Sequence, residues 1–119
     1  MTEDKWARLQ EDIDCGLRRG AWYRAVQLGA VEVTLDVNRN AQAFPRCQFE
    51  IRLGRPTRWT VVGRPRNAVR IPASWGTRYA VCPSCRTRQP PMGRPPSMRC
   101  DKCNGLFEVA WEESYLTLA

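Results

Sequence analysis

Over the first twenty residues the apolar positions recur every three or four. Trp6, Leu9, Ile13 and Leu17 would share one face of a helix over 1–20. Thr2 as N-cap, Glu3 and Asp4 in the first turn and Gly20 as a stop complete the prediction of an N-terminal amphipathic helix. From Ala21 the period shortens to two. Val31, Val33, Leu35 and Val37 alternate with Glu32, Thr34 and Asp36, and Cys47, Phe49, Ile51 and Leu53 alternate with Gln48, Glu50 and Arg52. Turn chemistry separates these runs at Asn38-Arg39-Asn40, Gly54-Arg55-Pro56 and 63–67. Shorter strands are predicted over 22–26, around Trp59 and Val61, and at Val69 and Ile71. The pattern describes a small antiparallel β meander or barrel over 21–80, SH3-like or OB-like, with Cys47 buried on an inward strand face.

Beyond residue 80 the cysteines change the picture. The chain has six cysteines and no histidine, and its acidic N-terminus lacks the apolar stretch of a secretory signal. In a reducing compartment such cysteines bind metal more readily than they form disulfides. Cys82-Pro83-Ser84-Cys85 and Cys100-Asp101-Lys102-Cys103 are two C-x-x-C knuckles separated by residues 86–99. Together they supply the tetrahedral four-sulfur shell that zinc favours, with no position left for a substrate water. One structural Zn2+ held by Cys82, Cys85, Cys100 and Cys103 is therefore expected, with rubredoxin-type iron as the alternative for the same ligands. The expected fold class is α+β, mostly β: an N-terminal helix (1–20), a small antiparallel β domain (21–80), and a four-cysteine zinc ribbon with an acidic, aromatic tail (81–119). In that tail Trp111, Tyr115 and Leu118 are expected to pack back on the barrel.

Residues 81–109 resemble the short zinc-ribbon domains of many prokaryotic proteins. The shared features are the C-P-x-C first knuckle, the Pro/Gly-bearing arm over 90–96, Arg99 before the second knuckle, and Phe107 with Val109 after it. The glycine usual after each knuckle is here Arg86 and Asn104. The resemblance implies a metal and a fold rather than an activity, since such ribbons bind DNA, RNA or proteins.

Charge narrows the choice of partner. The net charge is +7, and residues 15–100 hold sixteen arginines against Glu32, Asp36 and Glu50 alone. That density suggests a polyanion, and the planar guanidinium fork suits phosphates and base edges. The candidate contacts are Arg55, Arg58, Arg64, Arg66, Arg70 and Arg78 in the β region and Arg86, Arg88, Arg94 and Arg99 on the ribbon arm. Trp75 is the candidate platform for an unpaired base. Gly-Arg-Pro occurs three times and resembles the core of an AT-hook, without the basic residues that flank it there. With no histidine, no phosphate-binding glycine loop and no activated nucleophile, an enzyme is not expected. The sequence thus predicts a cytoplasmic zinc-ribbon protein that binds nucleic acid (DNA or RNA) and touches no membrane. The alternative is a protein-docking adaptor in a transcription, translation or mobile-element complex.

Overall fold

Ala7 and Leu9 point the same way along an extended segment, and that two-residue period, not the longer one, organises the N-terminus. The structure, a computed structural model, describes residues 4–11, 13, 15–64, 71–113 and 115. Strand β1 (Lys5–Leu9) stands where a helix was expected, and the only helical turns among the described residues are two three-residue 3-10 turns. The expectation of an α+β protein with an N-terminal helix is thus overturned: the chain is mostly β, with two sheets. The reason is tertiary. β1 lies between two strands and exchanges backbone hydrogen bonds with both, which outweighs the helical preference of a short Ala- and Leu-bearing segment. Thr2, the expected N-cap, lies outside the described residues.

The chain divides into two compact units, 1–56 and 57–119. The first contains β1, β2 (Tyr23–Leu28), β3 (Glu32–Val37), β4 (Asn40–Pro45), a 3-10 turn (Arg46–Gln48) and β5 (Phe49–Leu53). They form one antiparallel sheet in the order β4-β3-β2-β1-β5. The first four strands form a meander, and the fifth returns beside the first. Asn38 and Arg39 both have positive φ, the requirement of a two-residue hairpin, and they set the Val37–Asn40 register. A bulge between Ala25 and Gln27 bends β2. Ala7, Leu9, Leu17, Trp22, Val33, Leu35 and Phe49 are buried, as the alternation of β3 and β5 predicts for Val33, Leu35 and Phe49. Arg8 is also buried: its Nε and Nη2 donate to Glu50 Oε1 at 3.0 and 2.8 Å, and its guanidinium lies 4.5 Å from the Trp22 ring centre. Cys47 is exposed in the 3-10 turn, not buried on a strand, because the β5 ladder begins only at Phe49.

The second unit is built around β6 (Arg58–Gly63). A 3-10 turn (Ala73–Trp75), β7 (Arg78–Val81), β8 (Arg88–Gln89), β9 (Ser97–Arg99) and β10 (Leu106–Val109) follow. The order is β8-β7-β6-β10-β9, with β10 parallel to β6 and the other pairs antiparallel. Two hairpins therefore flank one spine. Because β7 runs against β6 and β10 runs with it, the end of β7 and the start of β10 lie at the same end of the sheet. Trp59 is fully buried, donates from Nε1 to the Met98 carbonyl at 3.0 Å, and packs with Ala80, Cys82, Met98, Cys100 and Val109. Burying such an indole contributes on the order of 3 kcal/mol. Trp111 packs against the same cluster. Val69, Arg66, Arg70 and Leu118, all invoked in the sequence reading, lie outside the described residues.

Candidate metal centre

Each C-x-x-C segment is the turn of one of the two hairpins. In the first, the Cys82 amide donates to the Thr87 carbonyl at 2.9 Å, and the Arg86 amide to the Cys82 carbonyl at 3.2 Å. In the second, the Cys100 amide donates to the Gly105 carbonyl at 2.8 Å, and the Asn104 amide to the Cys100 carbonyl at 2.9 Å. The two knuckles are thus copies of one turn. Each closes through a residue in the left-handed region, Arg86 at φ 65° and Asn104 at φ 64°. Arg86 adopts the same geometry as Asn104, at a backbone cost of about 1–2 kcal/mol.

The four sulfurs all lie within 4.8 Å of one another, close enough to hold one metal ion. Across the knuckles, Cys82 Sγ is 3.7 Å from Cys103 Sγ, and Cys85 Sγ is 3.5 Å from Cys100 Sγ. A regular tetrahedron with metal–sulfur bonds of about 2.3 Å has edges of about 3.8 Å, so these separations fit the shell. The Ser84 amide donates to Cys82 Sγ, and the Lys102 and Cys103 amides to Cys100 Sγ, each at 3.4 Å. Such donors stabilise thiolate charge. Cys82 and Cys100 are buried, Cys85 is half-buried and Cys103 is exposed.

Without a metal the thiols differ sharply. Burial pushes Cys82 up to about 12, its backbone donors offsetting only part of the cost, and burial also raises Cys100. Burial opposes ionisation of Cys85 as well. There the Thr87 hydroxyl and amide and the neighbouring thiols prevail, bringing it down to about 6. A cation at the centre of the four sulfurs would favour the ionised form of every one.

Two residues that the sequence reading missed support the site. Gln89, on β8, donates from Nε2 to the Arg99 carbonyl at 3.1 Å and accepts from the Asp101 amide at 3.0 Å. Its side chain thereby holds the chain on both sides of Cys100, linking the two hairpins. Gly105 leaves room for Phe107: a Cβ there would lie 2.5 Å from the Phe107 ring and 3.5 Å from Cys103 Sγ. Neither role has a local sequence signal, since each depends on how one strand lies against another.

The sequence-nominated arginines sort by what they already hold. Arg64 donates to the carbonyls of Gly76, Ile71 and Pro72, closing the base of the loop that carries Trp75. Trp75 itself is half-buried in the 3-10 turn. Arg58 pairs with Glu112, and Arg99 donates to the Asn104 carbonyl at 2.8 Å. Arg86 also has a partner. Arg55, in the first unit, lies 5.9 Å from the Trp6 ring centre. Arg78 and Arg94 each lie 4.8 Å from the ring centre of Trp111, and Arg88 is half-buried on β8.

Charge is divided unequally between the units. Residues 57–119 hold nine arginines and one lysine against four acids, whereas residues 1–56 hold nine basic residues against eight acidic. No described helix is long and apolar enough to cross a membrane. The fold and site together define a mostly β chain whose second unit carries a four-cysteine centre consistent with a zinc-binding motif and compatible with a ribbon. No known protein family matches the chain, and neither does any curated protein or solved structure.

Proposed function

We propose that this protein binds nucleic acid through an arginine-rich zinc ribbon, with one structural Zn2+ in the Cys82, Cys85, Cys100 and Cys103 centre. The observation that carries the metal half is the set of four thiols within 4.8 Å of one another on two matched knuckles. The donor set is soft and complete, which favours zinc and leaves no coordination position for chemistry on a substrate. When bound, the ion would supply a fixed cross-link between the two hairpins of a small unit, and no catalytic step is assigned to it. A four-thiolate centre needs reduced cysteines, which suits the cytoplasm.

The nucleic-acid half rests on the concentration of positive charge in the ribbon unit. Zinc with four thiolates would lower that charge by two and still leave it clearly basic. Phosphate contacts by these arginines would release counterions, so binding must weaken steeply as salt rises. Anisotropy titrations of zinc-loaded protein against labelled single- and double-stranded DNA and RNA at several salt concentrations test this. Tight, salt-sensitive binding to at least one of the four is expected, and no binding to any of them at low salt would overturn it.

One observation favours the adaptor reading as a second role for residues 1–56. A depression of about 560 Å³ is lined by Ala30, Val31, Pro45, Cys47, Phe49 and Ile51 together with Arg46, and Val31 and Leu53 are 77% and 61% exposed. Apolar surface of this kind suits a protein partner better than a phosphate backbone.

A further inference from the structure

Arg78 and Arg94 come from separate parts of the ribbon unit, the start of β7 and the arm before β9, yet both stack on the indole of Trp111. Among the described residues neither guanidinium has a hydrogen bond or an ion pair, in contrast to Arg58, Arg64, Arg86 and Arg99. Two like charges beside one ring repel each other. The nearest acid in sequence to Trp111, Glu112, is taken by Arg58.

The arrangement is held in place from three sides. Arg78 is fixed by the pairing of β7 with β6, where it lies opposite Gly63. The arm is fixed because Trp111 Nε1 donates to the Pro95 carbonyl at 2.7 Å and the Val109 amide donates to the Pro96 carbonyl at 3.0 Å. Trp111 is anchored against the cluster around Trp59. A cation held over a ring face makes that contact through its charge and does not spend its N–H donors on it, so each guanidinium keeps them for paired phosphate oxygens. Holding both side chains before a ligand arrives removes much of the entropy that two free arginines would lose on binding.

We propose that Arg78, Trp111 and Arg94 form the element of the ribbon unit that grips the phosphate backbone of a nucleic-acid strand, the two arginines as contacts and the indole as their positioning platform. This rests on the nucleic-acid reading above and assigns it to one place. It also gives Trp111 a role other than offering its own faces to bases, since guanidinium groups already occupy the ring.

The test uses the zinc-loaded full chain and labelled single- and double-stranded DNA and RNA. The slope of log K against log salt is compared for wild type, Arg78→Gln/Arg94→Gln, and the charge-matched control Lys5→Gln/Arg52→Gln, at two exposed residues of the first unit. Each phosphate contact contributes about 0.7 to the slope on single strands and about 0.9 on duplex DNA, so the double variant should lose about 1.4–1.8. The control should keep the wild-type slope, and Trp111→Leu should weaken binding with both charges still present. Zinc content, measured on every variant, separates loss of contact from loss of fold. A double variant that binds with wild-type slope, or a control that loses as much, would overturn the assignment while leaving nucleic-acid binding intact. A wild-type chain that binds none of the four would overturn both.

Discussion

Replacing Gln89 by alanine removes two hydrogen bonds that flank a metal ligand without touching the metal, so it isolates the positioning of the second knuckle. The bonds to the Arg99 carbonyl and from the Asp101 amide measure 3.1 and 3.0 Å and lie near the surface. Each is worth about 0.5–1.5 kcal/mol net, and water can replace part of that at an exposed site. A combined loss of about 1–2 kcal/mol follows, equivalent to roughly a 5- to 30-fold fall in zinc affinity. That overlaps the roughly 10- to 100-fold loss typical when a group supporting a metal ligand is removed. Competition against a chromophoric chelator measures it directly. Gln89→Glu should fall between the two, because its carboxylate can still accept from the Asp101 amide but cannot donate to the Arg99 carbonyl. Wild-type zinc affinity in Gln89→Ala would refute the idea that this side chain orders the second knuckle.

The other predictions concern the same unit. Zinc affinity should fall as pH falls, because protons compete for the sulfurs. With Cys82 near 12 and Cys100 raised, loading at neutral pH must release protons, and below about 6 Cys85 protonates as well and steepens the loss. Proton release on zinc addition, measured calorimetrically in buffers of different ionisation heat, checks this, and release of none would contradict it. In the metal-free chain the sign reverses. The raised Cys82 pKa stabilises the folded form below about 9, the value of a free thiol, and that contribution is lost as pH rises toward 12. Gly105→Ala should destabilise the zinc-loaded protein by about 1–3 kcal/mol in thermal unfolding, since its Cβ would meet the Phe107 ring at 2.5 Å. Arg86→Val should cost more than about 1 kcal/mol, roughly the penalty of a β-branched residue at φ 65°, whereas Arg86→Gly, with its backbone strain relieved, should fold more stably than Arg86→Val. Equal stability of these two variants would argue against the left-handed turn.

What the sequence could reveal depended on whether the information was local. The knuckles were legible because a C-x-x-C pair places two sulfurs within one turn, and four such sulfurs have few other uses in a chain without histidine. The strands at Val33, Leu35 and Phe49 were legible because strict alternation has only one structural meaning. The N-terminus was not. Trp6, Leu9, Ile13 and Leu17 do lie at helical spacing, but Ala7 with Leu9 also fits a strand, and two neighbouring strands far along the chain decided between them. Cys47 was misplaced by one structural step, the 3-10 turn that delays the start of β5. The Trp111 stack was invisible for a stronger reason: it joins residues 78, 94 and 111, which meet only after β10 has aligned with β6.

Metal content tests the central claim most directly. Full-length protein, purified without added metal and then supplied with zinc in the absence of chelators, should carry one zinc per chain by elemental analysis. Substitution with cobalt should give the strong thiolate charge-transfer absorption of a tetrahedral four-sulfur site, and Cys100→Ser should weaken both. A wild-type chain that takes up no zinc, or whose zinc survives loss of Cys100 unchanged, would contradict the four-thiolate centre.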